Sequence, residues 1–223
     1  MRWIERFDLF LFDLDGLLVD TERLHYQAYQ ALCQRYDVPL EWSFGEYLGI
    51  AHSSSEGLRE SLCPLFEGRP WEELYEEKKT IYIELLNRGN LQLMPGVERL
   101  LKELASARVK RCVATHSSKE QVAAIKHFLP VLKTIPVWVT REDYERPKPH
   151  PDAYYKALEL LMDPEDRVIG FEDSLRGFKA LKETIALPVL ICDPNHPQMG
   201  DEHLQGAVHF PSFSQIPTQF KHK

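Results

Sequence analysis

The sequence predicts an α/β protein with a doubly wound, mostly parallel sheet and a small all-helical domain inserted after the first strand. Two observations predict the sheet: short apolar runs recur along the chain of 223 residues, and helical spacings of apolar residues separate them. The runs do not alternate between apolar and polar residues, which is typical of strands covered on both faces. A third observation predicts the insertion, because only helical patterns occupy the long stretch between the first run and the second.

The predicted elements follow in chain order. We expect strands at residues 9–12, 109–114, 136–139, 168–171 and 189–192, with a short edge strand at residues 207–210. Helical spacing begins after Pro95, which suits a first helical turn, and again after Pro151. Ser117 or Ser118 suits the N-cap of another helix, and Ser174 suits the N-cap of the last one.

The insertion covers residues 20–87, which show helical patterns and no convincing strand. The chain must therefore leave the core near Val19 and return near Asn90, and two crossings of this kind permit a hinged lid. We expect an α/β core domain of residues 1–18 and 89–223 and a helical cap domain of residues 19–88.

Composition and charge argue against several classes of function. The 27 Lys and Arg residues against 34 Asp and Glu residues give a net charge of -7, and the basic residues form no stripe, so we expect no nucleic-acid partner. No apolar run approaches the roughly 20 residues that span a bilayer, so we expect no membrane partner. The four cysteines are far apart and lack zinc-site spacing. We therefore expect a cytoplasmic protein, and a monomer, because a lid that opens needs no partner.

Two carboxylates follow the first predicted strand, in the sequence Phe-Leu-Phe-Asp-Leu-Asp-Gly of residues 10–16. Residues two apart in a strand point the same way, so Asp13 and Asp15 can converge on one point. That point lies at the carboxyl end of the sheet, where doubly wound proteins bind ligands. A solvated strand exit, with aspartate as a turn residue, is the alternative interpretation.

A second acidic strand end contains Glu172 and Asp173. Four carboxylates near one site would repel each other, since a like-charged pair at about 4 Å costs roughly 4 kcal/mol at an effective dielectric of 20. A bound cation removes this repulsion. Because the expected ligands are oxygen atoms without histidine or cysteine, the pattern favours Mg²⁺ over zinc or copper.

Two further motifs suit an anion. Thr115, at a strand end, leads through His116 and two serines into a helix, whose first N–H groups can hold an anion beside the threonine hydroxyl. Lys148 has prolines on both sides, so a fixed ammonium could neutralise a phosphate oxygen and a carboxylate at once. A plain helix cap and a solvated lysine in a proline-rich loop are the corresponding alternatives.

The four motifs, in this order and at these strand ends, resemble those of the haloacid dehalogenase superfamily over nearly the whole chain. Residues 13–16 resemble its first motif, Thr115 its second, Lys148 its third, and the Glu172-Asp173 pair its fourth. The helical insertion is similar to the cap of the subgroup that contains β-phosphoglucomutase, phosphoglycolate phosphatase and small sugar-phosphate phosphatases. Haloacid dehalogenases themselves match less well, because they rely neither on an aspartate at the second position nor on Mg²⁺.

The resemblance implies a mechanism of phosphoryl transfer. Asp13 would attack phosphorus and form an aspartyl phosphate, while Asp15 protonates the leaving alkoxide and then deprotonates the attacking water. Mg²⁺ would bind the Asp13 carboxylate, the Asp15 backbone carbonyl and Asp173, with Glu172 as direct or water-mediated support. With Asp15 protonated, Mg²⁺ and one lysine would leave the pocket nearly neutral. The phosphate would be held by Thr115, His116 and Lys148.

The start of the insertion resembles the cap of β-phosphoglucomutase, including the hinge residue Thr21 and His25, which couples cap closure to the acid/base residue in that family. Lys78 matches its cap lysine. His52 falls where the mutase has an arginine for a second phosphate, and a mostly neutral imidazole is a poor replacement for a guanidinium. The alternative is that the two histidines and Lys78 are ordinary solvated helix residues.

We therefore predict a Mg²⁺-dependent phosphatase for a small phosphorylated metabolite, such as a sugar phosphate, with β-phosphoglucomutase-type isomerisation as the alternative. Two other classes of protein place similar groups at strand ends. A signalling receiver domain lacks the helical insertion, and its motifs come in a different chain order. A noncatalytic sensor of a phosphorylated metabolite would be favoured by loss of Asp13 or Asp15, and both are present.

Overall fold

The computed structural model describes residues 3–53 and 56–217 and contains a six-stranded sheet in the order β3-β2-β1-β4-β5-β6. All of its neighbouring strands pair in parallel. The strands are β1 (Leu9–Phe12), β2 (Lys110–Ala114), β3 (Val137–Val139), β4 (Val168–Glu172), β5 (Leu187–Ile191) and β6 (Val208–Phe210). The predicted strands are confirmed, including the edge strand. β5 begins two residues early, because Leu187 pairs in register with Ile169 although its side chain is exposed.

Eight α-helices are described, and the first four of the five that lie between β1 and β2 fall in the predicted insertion. These four are α1 (Glu22–Arg35), α2 (Phe44–Ser53), α3 (Gly57–Leu62) and α4 (Trp71–Leu86). The other four are α5 (Val97–Ser106), α6 (Lys119–Phe128), α7 (Asp152–Leu161) and α8 (Leu175–Lys182), and each precedes one strand of the sheet. Over the described ranges, none of the helices has the length and apolar character needed to cross a membrane.

Strand β1 is completely buried, which explains why its sequence does not alternate. Phe10 and Phe12 point to one face and pack in the cluster that contains the apolar side chains of α5 and α6. Leu9 and Leu11 point to the other face and pack in the cluster that contains those of α7 and part of α8. Burying each of these side chains contributes on the order of 1.5–3 kcal/mol. Helices on both faces of a parallel sheet confirm the predicted doubly wound fold.

The insertion is joined to the core by two chain segments that run side by side. Val19 and Leu93 form an antiparallel bridge. The Asp20 N–H donates to the carbonyl of Gln92 at 2.9 Å, and the Met94 N–H donates to the carbonyl of Leu18 at 3.0 Å. The insertion therefore enters and leaves the core at one place.

Within the insertion, α1 packs against α4. Helix α2 of the insertion packs against α8 of the core. The division into a core of residues 1–18 and 89–223 and a cap of residues 19–88 stays a prediction. Residues 1, 2, 54, 55 and 218–223 of these ranges lie outside the described residues.

Candidate active site

Three neighbouring strands bring the predicted core residues to one edge of the sheet. The carboxyl ends of β2, β1 and β4 lie side by side, and Thr115, Asp13, Glu172 and Asp173 lie at or directly after them. These side chains and that of Lys148 are buried. The structure thus brings together residues from all four motifs.

The ammonium of Lys148 lies between two carboxylates. Its Nζ donates to Asp13 Oδ1, to Glu172 Oε1 at 2.6 Å and to the carbonyl oxygen of Ala114 at 3.0 Å. The Tyr154 hydroxyl donates to the same oxygen of Glu172. Burial opposes the lysine charge, but Asp13 and Glu172 outweigh burial and raise the pKa of Lys148 above its usual value. Lys148 is therefore a fixed positive charge and not a solvated loop side chain.

Asp13, Glu172 and Asp173 form a cluster suited to a metal ion. Each offers a carboxylate oxygen, and these oxygens lie within 4.8 Å of one another. Burial raises the pKa of Asp13 to about 7, although Lys148 opposes the rise. Burial and the charges of Asp13 and Glu172 raise the pKa of Asp173 well above its usual value. One ammonium does not neutralise three carboxylates, so a hard divalent cation such as Mg²⁺ fits this set of oxygen ligands.

Two glycines keep space open around these carboxylates. Gly16 has a φ of +78°, and a Cβ at this position would lie 2.2 Å from Asp173 Oδ2. A Cβ at Gly177 would lie 2.1 Å from the carboxyl carbon of Glu172. Any larger residue at either position would displace a carboxylate of the cluster.

Asp15 is surrounded by hydroxyl donors. Thr21 Oγ1 donates to Asp15 Oδ1 at 2.7 Å, and Ser117 Oγ and Thr115 Oγ1 donate to Oδ2 at 2.7 and 3.2 Å. His25 Nε2 lies 3.8 Å from Oδ1. Burial alone would raise the pKa of Asp15, but His25 and the hydroxyls of Ser117 and Thr21 outweigh it and hold the pKa below its usual value. Asp15 is therefore ionised in this arrangement.

Asp13 and Asp15 line one cavity, as expected, but they have different partners, because β1 ends at Phe12 and the chain turns at Gly16. One expectation about Asp15 is wrong: the protonated Asp15 of the charge count does not hold, since hydroxyl donors favour the carboxylate. The Asp15 carboxylate also lies outside the oxygen cluster, which leaves its backbone carbonyl for the predicted metal contact.

The segment after β2 holds Thr115 and His116 in fixed positions. Thr115 Oγ1 accepts from the Ser117 N–H at 3.0 Å. The Tyr144 hydroxyl donates to the Thr115 carbonyl at 3.1 Å and lies 3.2 Å from His116 Nδ1. Burial and nearby cations lower the pKa of His116 to about 3, so this ring is neutral. Ser118 caps α6 in a capping box, which leaves Ser117 free to contact Asp15.

Lys78 and His25 meet across the insertion, where α4 packs against α1. Lys78 Nζ lies 2.6 Å from His25 Nδ1, and the His25 ring stacks on Tyr82 with a centroid separation of 4.0 Å. Burial lowers the pKa of Lys78 to about 7, and burial together with Lys78 lowers the pKa of His25. Lys78 is buried, so its interpretation as part of a solvated charged face is wrong.

His52 is also buried, and it lies at the contact between the insertion and the core. Its Nε2 is 3.6 Å from Glu22 Oε1, and its ring stacks on His196 of the core with a centroid separation of 5.1 Å. Burial would raise the pKa of Glu22, but His52 outweighs burial and the pKa falls to about 2. The solvated-helix interpretation of His52 is therefore wrong.

The site is a narrow cavity that opens toward a wider cleft. A cavity of about 50 Å³ is lined by Asp13, Asp15, Lys148 and others of the site. A water molecule occupies about 30 Å³ in the liquid, so this cavity has room for one or two waters. A cleft of about 380 Å³ beside it shares Glu22, His52 and Asp173 with the cavity. Residues of the insertion, including Glu22 and His52, therefore help to enclose the cavity, and we call this the closed arrangement.

Sequence reasoning missed four residues of this site. Ser117 was considered only as a helix cap, although it lies two residues from Thr115. Glu22 and Arg176 line the cavity. The sequence could have indicated Glu22 because it follows Thr21, and Arg176 because it lies in the first helical turn after the fourth motif. His196 carries no sequence signal, because only the folded chain places it on His52.

Comparisons with known proteins agree with the fold and the motifs. The family model described as haloacid dehalogenase-like hydrolase matches residues 10–186. A phosphorylated carbohydrates phosphatase of Thermotoga maritima is 29% identical over 209 residues, which cover 89% of this chain and 84% of that protein. A β-phosphoglucomutase of Bacillus subtilis is 29% identical over 180 residues, or 77% of each chain. The crystal structure of CbbY from Rhodobacter sphaeroides with phosphate has a TM-score of 0.78 at 25% identity, covering 94% of this chain and 96% of that one.

Proposed function

Because the chain belongs to the haloacid dehalogenase-like hydrolases and is of the phosphomonoester hydrolase type, we propose that it is a Mg²⁺-dependent phosphatase for a small phosphorylated metabolite, acting through an aspartyl phosphate on Asp13. One observation carries the proposal: Lys148 bridges Asp13 and Glu172 inside a buried cluster of carboxylates at the carboxyl end of the sheet.

The acidic cluster accounts for the metal dependence. Asp13, Asp173 and Glu172 would hold Mg²⁺, with the Asp15 carbonyl as a further ligand. When bound, the ion supplies the positive charge that offsets the carboxylates and the phosphoryl oxygens. Without it, burial keeps the pKa of Asp13 near 7, so only part of the nucleophile is ionised at neutral pH.

The proposed chemistry uses Asp13 and Asp15 in turn. A carboxylate oxygen of Asp13 attacks phosphorus, the ester P–O bond breaks, and the leaving alkoxide takes a proton from Asp15. A water molecule then attacks the aspartyl phosphate, gives its proton to Asp15, and the bond between phosphorus and Asp13 breaks. Because Asp15 is ionised in the closed arrangement, it is ready for the second step and must gain a proton before the first. His25, whose Nε2 lies 3.8 Å from Asp15 Oδ1 and whose Nδ1 contacts Lys78, would supply it.

The phosphoryl group would be held by fixed groups rather than by mobile ones. Lys148 is anchored by three acceptors, and Thr115 is anchored by the Ser117 N–H. His116 is neutral, so it contributes shape and hydrogen bonding rather than charge. Groups that need no reorganisation stabilise a transition state most effectively.

The remainder of the substrate would occupy the cleft beside the cavity. This cleft of about 380 Å³ is lined by Phe44 and Leu48 of α2 and by Phe213 after β6, together with polar side chains. Its size suits a small metabolite. Since the cavity itself admits only water, we propose that residues 19–88 form a cap domain. This domain would open at the two paired segments around Val19 and Leu93 to admit substrate.

The proposal also includes a cytoplasmic enzyme without a nucleic-acid or membrane partner, which rests on the cysteines, charge and hydropathy of the sequence. It includes a monomer as well, because a lid that opens needs no partner. β-Phosphoglucomutase-type isomerisation is the alternative, and the contact between Lys78 and His25 favours it because both residues match the cap of that family. His52 argues against it, because an imidazole that faces Glu22 lacks the two parallel donors with which a guanidinium would hold a second phosphate.

The test is release of inorganic phosphate from sugar phosphates, phosphoglycolate and nucleotides, with Mg²⁺ or EDTA. We expect Mg²⁺-dependent release by the natural protein and none by Asp13→Asn. Asp163→Asn is the matched control, since its side chain is 75% exposed, and it should retain activity. Activity in Asp13→Asn, or release that persists in EDTA, would contradict the proposal. If no compound is hydrolysed, conversion of β-glucose 1-phosphate with a bisphosphate primer tests the alternative.

A further inference from the structure

Arg176 is a cation of the site that has no partner among the described residues. It is the second residue of α8 and lines the same cavity as Asp13, Asp15 and Lys148. Within residues 3–53 and 56–217, no hydrogen bond or ion pair involves its guanidinium, whereas Lys148 is engaged by two carboxylates. Its side chain is partly buried.

The position of Arg176 does not serve the helix that carries it. Ser174 caps α8 by accepting from the Gly177 N–H at 3.2 Å, so Arg176 lies in the first turn. A cation there faces the positive end of the helix dipole, which is unfavourable. Lys179 and Lys182, at the other end of α8, have the favourable placement. A reason other than helix stability is needed for an arginine at this position.

The cavity that Arg176 lines is also lined by His116 and Lys148, at the phosphate end of the site, and by Glu22 and His52 of the insertion. Burial lowers the pKa of His116, and the charge of Arg176 is the next contribution in the same direction. Burial raises the pKa of Tyr47 on α2, and Arg176 is a charge that opposes this rise. In addition, α2 packs against α8. Arg176 therefore shares one cavity with the expected phosphate-binding residues and with residues of the insertion.

We propose that Arg176 binds a second anionic group, a carboxylate or a phosphate, on the leaving-group part of the substrate. The planar guanidinium matches the geometry of both anions and can donate two parallel hydrogen bonds. The transferred phosphoryl group already has Lys148 and Thr115, so an additional unpaired cation in the same cavity selects for a further charge. This inference rests on the proposed phosphatase function and names the class of its substrate.

The test compares substrates that differ by one anionic group: glycerol 3-phosphate with 3-phosphoglycerate, and glucose 1-phosphate with glucose 1,6-bisphosphate. We expect Arg176→Gln to lower kcat/KM for the anionic member of a pair on the order of 10- to 100-fold more than for the neutral member. Arg176→Lys should restore part of the preference. Lys179→Gln removes one charge from the same helix away from the cavity and is the matched control.

Binding provides a readout that does not need turnover. Calorimetry on the Asp13→Asn protein with Mg²⁺ should show tighter binding of the anionic member of each pair, and Arg176→Gln should abolish the difference. Equal losses for both members would place Arg176 on the transferred phosphoryl group and overturn the inference, as would no loss or no preference in the parent protein. Failure of all phosphate release would refute the proposed function, while calorimetry would still decide the role of Arg176.

Discussion

The exchange Asp173→Asn tests whether the metal-free site is held under electrostatic repulsion. Burial and the charges of Asp13 and Glu172 raise the pKa of Asp173 well above its usual value. Lys148 contacts the other two carboxylates and not this one. Asparagine has nearly the same shape and no charge, so the exchange removes repulsion and leaves the lysine contacts in place.

The size of the effect follows from the spacing of the carboxylates. Their oxygens lie within 4.8 Å of one another. At an effective dielectric of 20, a like-charged pair at this separation costs about 3–4 kcal/mol, and Lys148 offsets part of it. We therefore expect Asp173→Asn to increase the free energy of unfolding by about 2–4 kcal/mol in EDTA near pH 8. For a chain of this size that corresponds to a Tm higher by roughly 5–15 °C.

The effect depends on pH in a defined direction. The unfolded carboxyl titrates near 3.8, and the folded one titrates above that value. Between these two pKa values the native state holds more protons than the unfolded state, so the natural protein loses stability as pH rises from about 4. The variant lacks this loss. The two proteins should therefore differ little near pH 4 and most at alkaline pH.

The measurement is urea or thermal unfolding of both proteins at several pH values, in EDTA and in Mg²⁺. Mg²⁺ should reverse the order, because it stabilises the natural protein by binding its native state and the variant has lost a ligand. Glu165→Gln, at an exposed position, is the matched control and should change neither series. A variant less stable than the natural protein in EDTA near pH 8 would refute the reasoning.

Three further exchanges test other parts of the site. Lys78→Met removes an amine whose pKa is lowered to about 7 by burial. The variant should therefore be more stable than the natural protein in urea unfolding, by a larger margin near pH 6 than near pH 10. The opposite trend would contradict the burial of this amine. Thr21→Val removes a hydroxyl donor from Asp15, so the pKa of Asp15 should rise and the pH profile of kcat shift upward, while an unchanged profile would remove Thr21 from the acid/base environment. Gly177→Ala should lower the Tm despite the better helix propensity of alanine, because the added methyl group displaces Glu172 at a cost of about 1–3 kcal/mol. An increased Tm would show that the carboxylate moves freely.

The sheet and the core part of the site could be predicted because their information is local. Runs such as residues 9–12 identify buried strands, and parallel strands bring their carboxyl ends to the same edge. Asp13, Lys148 and Glu172 therefore meet as expected, and Thr115 lies at the neighbouring strand end, where it contacts Asp15. Asp15 lies beyond the end of β1, and its hydrogen bonds with Thr21 and Ser117 do not follow from strand geometry.

The insertion was predictable as helical but not in its contacts. Lys78 and His25 are 53 residues apart, and their meeting depends on how α4 packs against α1. No spacing in the sequence distinguishes a buried lysine on such a helix from a solvated one. Likewise, His52 meets His196 only because α2 lies on the core. Charge states such as that of Asp15 depend on these contacts and were beyond sequence reasoning for the same reason.

The paired crossing at Val19 and Leu93 has a consequence for how this architecture diversifies. Since the two ends of the helical insertion lie side by side and are hydrogen-bonded to each other, the sheet keeps its register whichever segment is inserted between them. A different set of helices could be attached at the same point without disturbing Asp13 or Lys148. The helices that cover the site can thus change while the sheet that holds Asp13 and Lys148 is conserved.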